Sequence, residues 1–128
     1  MIRTRGHAAA DWRIIQTTGF IVPNNVKKIL RELKKGLSEI YGDQLNAVYL
    51  FGSFARGEGK LPDSDIDVMV VLNGEFNYRD VEKRSIDFVA SLCLEHDVVI
   101  ICHFISDKRY RESEMPFMLN VRKDAVSV

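Results

Sequence analysis

The sequence predicts an α/β domain, a small mixed β-sheet flanked by helices, and three observations carry that expectation. The stretch 47–72 reads as strand, glycine turn, short helical turn, loop, strand. Apolar residues recur at helical spacing before it and after it. The resulting order is helix, strand, strand, helix, strand, helix, which suits a sheet backed by helices rather than an all-α or all-β unit. At 128 residues and 46% hydrophobic, the chain suits one domain with a real core.

Taken in order, residues 1–22 are an N-terminal arm of uncertain order, and 23–128 form the domain. The arm is basic at Arg3, Arg5, His7 and Arg13, with apolar Trp12, Ile14, Ile15 and Phe20 in no clear period. Its bland reading is a terminal tail. Pro23-Asn24-Asn25 opens a helix, with asparagine as the expected N-cap. Val26, Ile29, Leu30, Leu33, Leu37 and Ile40 form its apolar stripe, and Gly42 stops it. Lys27, Lys28, Arg31, Lys34 and Lys35 give a basic outer face, read as solvated.

Ala47–Phe51 is the first strand and Ile66–Leu72 the second, both rich in residues that strands favour. Asn73-Gly74 marks a turn. A second helix spans about 78–95, a third strand 98–105, a short helix capped by Ser106 or Asp107 covers 108–112, and Pro116 starts a last helix through about Lys123.

Chemistry concentrates at the head of the second strand. Asp65 and Asp67 are two apart, so they point to one side of the sheet. Adjacent carboxylates repel unless a cation lies between them. Mg²⁺ suits the place, because it takes a few carboxylate oxygens and completes its shell with water and phosphates. Opposite stands Gly52-Ser53, where a glycine admits phosphates close to the backbone and a helical turn offers free N–H groups.

Gly52-Ser53, Arg56-Gly57 and Ser64-Asp65-Ile66-Asp67 together match the signature Gly-Ser, Arg-Gly, Ser-Asp-x-Asp. In this the chain resembles the minimal nucleotidyltransferase domains of the DNA polymerase beta-like superfamily. The resemblance covers about 26–126 and is strongest within 51–72. It implies the nucleotidyltransferase fold. It also implies transfer of a nucleoside monophosphate, AMP from ATP, to an acceptor hydroxyl, with pyrophosphate released. Asp65 and Asp67 would hold one or two Mg²⁺ ions, and Gly52, Ser53, Arg56 and Ser64 would bind the nucleotide. A third acid on the next strand completes such sites, and Asp97 in His96-Asp97-Val98-Val99 resembles it. Anchoring the match on the helix after Ser106 moves that position to about His103, and strand alternation does not separate the two. A strand-start or turn aspartate is the bland reading of Asp97.

The resemblance also bears on partners. Stand-alone minimal domains resemble the antitoxin half of toxin–antitoxin pairs with a HEPN-type partner. The alternative function is therefore a regulatory binding module with catalysis weak or lost. A chain this short leaves an open cleft, so a second subunit, a HEPN-type protein or another copy of the chain, is expected to complete it.

Other readings fit less well. A P-loop would need glycine where Phe54 stands, and the glycines at 52, 57 and 59 do not form the dinucleotide fingerprint. Eighteen basic and eighteen acidic residues leave no net charge, which argues against a general nucleic-acid or membrane-surface binder. No apolar run reaches the length of a membrane span. Cys93 and Cys102 lack zinc spacing and read as reduced, buried thiols of a cytoplasmic protein. His96, Asp97 and His103 are poorly spaced for a transition metal. Arg56 either binds phosphate or pairs with Asp65 or Asp67. Asp63 and Glu58 read as loop residues, and Met115, Phe117 and Met118 as core.

Overall fold

The computed structural model describes residues 22–128. The expectation about the arm falls on residues that, apart from Val22, lie outside this range. Val22 itself is buried with the core.

The elements are α1 (Asn24–Tyr41), β1 (Leu45–Phe51), β2 (Ile66–Leu72), α2 (Tyr78–His96), β3 (Ile100–Ser106), α3 (Asp107–Glu112), α4 (Pro116–Asp124) and β4 (Val126–Ser127), with a 3₁₀ turn at Gly42–Gln44. The sheet order is β3-β2-β1-β4. β1 pairs antiparallel with β2 and with β4, whereas β2 and β3 run parallel. This is the mixed sheet the sequence predicts.

Alternation divides the sheet into two faces. Val48, Leu50, Ile66, Val68, Val70, Leu72, Ile100 and Phe104 pack with the apolar stripe of α1 and with Val81 and Leu92 of α2. The opposite face carries a smaller core of Phe51, Met69, Val71, Tyr110, Met118 and Val121, roofed by α3 and α4. β2 contributes to both cores, which accounts for its nearly uniform apolar sequence. Asp67 is the exception: it shares the second face with Met69 and Val71.

Several boundaries differ from expectation for physical reasons. The N-cap of α1 is Pro23 without a side-chain cap, and Asn25 Oδ1 instead accepts from Val26 N at 3.0 Å. Ser106 caps α3 as expected, accepting from Arg109 N. β3 begins at Ile100 rather than Val98, because Asp97 ends α2 in a left-handed conformation and the chain needs two residues to turn into the sheet. β4 has two residues and exists only by pairing Tyr49 with Ser127 and Leu50 with Val126. No described helix is long and apolar enough to cross a membrane.

Candidate functional site

The site is assembled where β1 ends and β2 begins. Phe51 closes β1 and lies opposite Asp67 in the antiparallel ladder. Directly opposed residues share a face with their Cβ atoms about 4.5–5.5 Å apart. The next residue, Gly52, turns the chain with φ +78°. A Cβ built there would lie 2.5 Å from Asp67 Oδ2, so glycine is what lets the Asp67 carboxylate rest against the turn.

The expected helical turn forms as a run of hydrogen-bonded turns rather than a helix. Arg56 N donates to Gly52 O and Ser53 O at 3.2 Å, and Glu58 N donates to Ser53 O at 2.9 Å. The loop that returns to β2 is held by Ser64, whose N–H donates to Lys60 O and whose hydroxyl accepts from Lys60 N at 2.9 Å. Ser64 thus shapes the approach to Asp65.

Asp65 is exposed, one residue before β2, and Asp67 is half-buried. Burial pushes the Asp67 carboxyl above the usual carboxylate range and the Asp65 charge adds to this, while His103 and Arg56 act the other way. Holding Asp67 ionised therefore has a cost in the protein alone, and a divalent cation would offset it. Two carboxylates close enough for the charge of one to act on the other, one of them disfavoured as a free anion, form a donor set that a divalent cation such as Mg²⁺ would fit.

The burial has a visible source. Phe51 on β1 and His103 on β3 lie on strands separated by β2, yet their rings stand 5.4 Å apart, so they meet over β2. Phe117 of α4 completes the group, 5.8 Å from Phe51 and 5.6 Å from His103. On the β3 side Asp67 pairs with Ile101 and Met69 with His103.

Two sequence expectations need correction. Arg56 does not pair with either aspartate: Nη1 lies 2.9 Å from Asp124 Oδ2 and Nε 3.1 Å from Glu58 Oε1. It ties the turn to the end of α4, and these partners raise its pKa. Asp97 is exposed at the end of α2, three residues ahead of β3, and is not brought to the acid pair. The charges that act on Asp67 are His103, Asp65 and Arg56. The register thus places Ile101 and His103, not an acid, along β3 beside the pair.

The expected core assignment also divides. Met118 is buried, but Met115 and Phe117 are exposed. Nothing in the periodicity of a nine-residue helix separates them. The imagined grouping of His96, Asp97 and His103 does not form. Among the described residues the one such grouping is Glu32, Glu95 and His96, where His96 Nε2 lies 3.1 Å from Glu32 Oε1 and 3.5 Å from Glu95 Oε2. It is a polar side-chain contact between α1 and α2. Cys93 and Cys102 are free, and burial pushes the Cys102 thiol up to about 12, as suits an unreactive packing thiol.

The paired acids at the mouth of β2 thus lie beside the glycine turn that closes β1, in a mixed sheet. Comparisons with known proteins name the class. The family model described as nucleotidyltransferase domain matches residues 30–120, and the chain belongs to that family. Two proteins of Methanocaldococcus jannaschii, each named "Putative protein adenylyltransferase", are 34% identical to it. One aligns over 73 residues, 57% of this chain and 72% of its own length. The other aligns over 76 residues, 59% and 69%. A crystal structure from Sulfolobus solfataricus, described as a "putative nucleotidyltransferase", superposes with a TM-score of 0.50 at 26% identity, covering 80% of this chain and 83% of that one. The chain is thus a transferase by family, and both the fold class and the family resemblance read from its sequence hold.

Proposed function

We propose that the protein transfers a nucleoside monophosphate, AMP from ATP, to an acceptor hydroxyl in a Mg²⁺-dependent reaction. One observation carries this reading: Asp67 is held against the Gly52 turn in a position where its negative charge is disfavoured until a cation arrives. Family membership and the adenylyltransferase names of the relatives support the reaction class.

Asp65 and Asp67 would hold the metal, which when bound neutralises phosphate charge and stabilises the developing negative charge of the transfer. The Gly52-Ser53 turn would hold the terminal phosphates. The Ser53 hydroxyl makes no hydrogen bond among the described residues, so it is available to donate. In the transfer the acceptor oxygen bonds to the α-phosphorus and the bridging bond to the β-phosphate breaks. Pyrophosphate leaves with the electron pair, and the hydroxyl proton passes to solvent. The chain supplies position and a preorganised field rather than covalent chemistry.

A regulatory binding module for a HEPN-type partner is the second reading. The place of Asp97 favours it, because among the described residues β3 sets Ile101 and His103, not an acid, beside Asp67 and Met69. Cell extract incubated with α-labelled ATP and Mg²⁺ separates the two. The enzyme reading expects a labelled protein or RNA band that is lost with EDTA and with Asp65→Ala/Asp67→Ala. Co-purification of a helical partner with no label transferred would favour the binding module.

A further inference from the structure

We propose that Phe117, with His103 against it and Ile101 beside Asp67, is the shelf on which the nucleobase of the bound nucleotide stacks. This deepens the nucleotidyl-transfer reading and rests on it. Phe117 follows Pro116 at the start of α4, and its neighbours Met118 and Val121 fill the lower core. Phe117 itself remains 50% exposed although two rings touch it. Its contact with Phe51 is edge to face, at 85° between planes. Phe51 is 7% exposed, so the open surface of the pair belongs to Phe117.

The position of this open ring gives it meaning. Phe51 immediately precedes the Gly52 turn and lies opposite Asp67 in the ladder. Ile101, 37% exposed, is the neighbour of Asp67 on the other side. The aromatic surface therefore continues directly from the places proposed for phosphate and metal. An isolated exposed phenylalanine needs no explanation. One joined to a buried ring, a histidine and a half-buried carboxylate is a different case. A triphosphate bound at the turn carries one apolar flat group, its base, and this is the apolar flat surface adjoining the site. Phe117 and Ile101 offer no hydrogen bonds to base edges. The shelf should hold purines more tightly than pyrimidines, by stacking area, and distinguish adenine from guanine weakly.

Calorimetric titration of full-length protein with Mg-ATP and with Mg-tripolyphosphate, which has no base, tests the shelf. Phe117→Ala is expected to weaken Mg-ATP binding by about 5- to 150-fold, the range for removing a base-stacking aromatic. Tripolyphosphate affinity should stay within about two-fold, and Phe117→Trp should restore ATP binding. Phe117→Leu keeps apolar bulk at the position, so it serves as the truncated variant should alanine fail to fold. Equal losses for both ligands would mean that Phe117 only supports the turn, and would overturn the shelf. Unchanged ATP affinity with acceptor labelling lost would assign the ring to the acceptor and overturn it too. Wild-type protein that binds tripolyphosphate as tightly as ATP would overturn the shelf alone. Binding of neither ligand would remove the phosphate site, and the shelf with it.

Discussion

Gly52→Ala is expected to abolish tight Mg-ATP binding and to lower the melting temperature. Two effects combine. The backbone at φ +78° is unfavourable for any side chain, at about 1–2 kcal/mol. The new Cβ would also lie 2.5 Å from Asp67 Oδ2 and 3.3 Å from its Cγ. The carboxylate must turn away, and its oxygens leave the side it shares with Asp65. Gly42→Ala is the natural control. It meets φ +55° but nothing lies within 4 Å of its Cβ, so it carries the backbone cost alone. Both variants should lose several degrees of Tm, at about 3–5 °C per kcal/mol for a chain of this length. Only Gly52→Ala should lose nucleotide, by an order of magnitude or more. Titration of both variants with Mg-ATP checks this, and equal affinities would separate the turn from the carboxylate.

Asp67→Asn is expected to make the protein more stable and unable to bind metal. The Asp67 carboxyl has a folded-state pKa above its unfolded one, mainly through burial. Such a group contributes stability that is full below the unfolded pKa and is lost as pH rises through the folded value. At neutral pH the ionised side chain is therefore a cost that asparagine removes. The variant should melt higher than wild type at pH 7, and the gap should close as pH falls to about 4 and below. Mg-ATP should reverse the order. A ligand at 100 times its Kd adds about 2.7 kcal/mol to the state that binds it, and only wild type should receive this. The expected loss of affinity exceeds the roughly 10–100-fold typical of residues that merely support a metal ligand. Thermal melts across pH, with and without Mg-ATP, read all three effects. An Asn variant less stable than wild type at pH 7 would show that burial of the charge is not what the site sustains.

The same residues show what could be read without a structure. Ile66–Leu72 is a strand to the residue, because β-branched and apolar side chains, Asp67 apart, run from the loop to Asn73-Gly74. The acid pair and the glycine turn were legible because their spacing is local. What was missed depends on distant contacts. Arg56 finds Asp124 across 68 residues, and no local pattern links them. β4 is two residues long and exists only beside β1. Asp97 reads as the start of a strand because Val98 to Ile101 are apolar, but the chain takes a left-handed turn there first. Phe117 reads as core because apolar residues usually are, whereas α4 leaves it half exposed against the rings of Phe51 and His103.

Calorimetric titration of Mg-ATP into wild type and into Asp65→Ala/Asp67→Ala tests the central claim most directly. The account predicts saturable binding by wild type that disappears with EDTA, and none by a folded double variant. Equal binding by both proteins would contradict it.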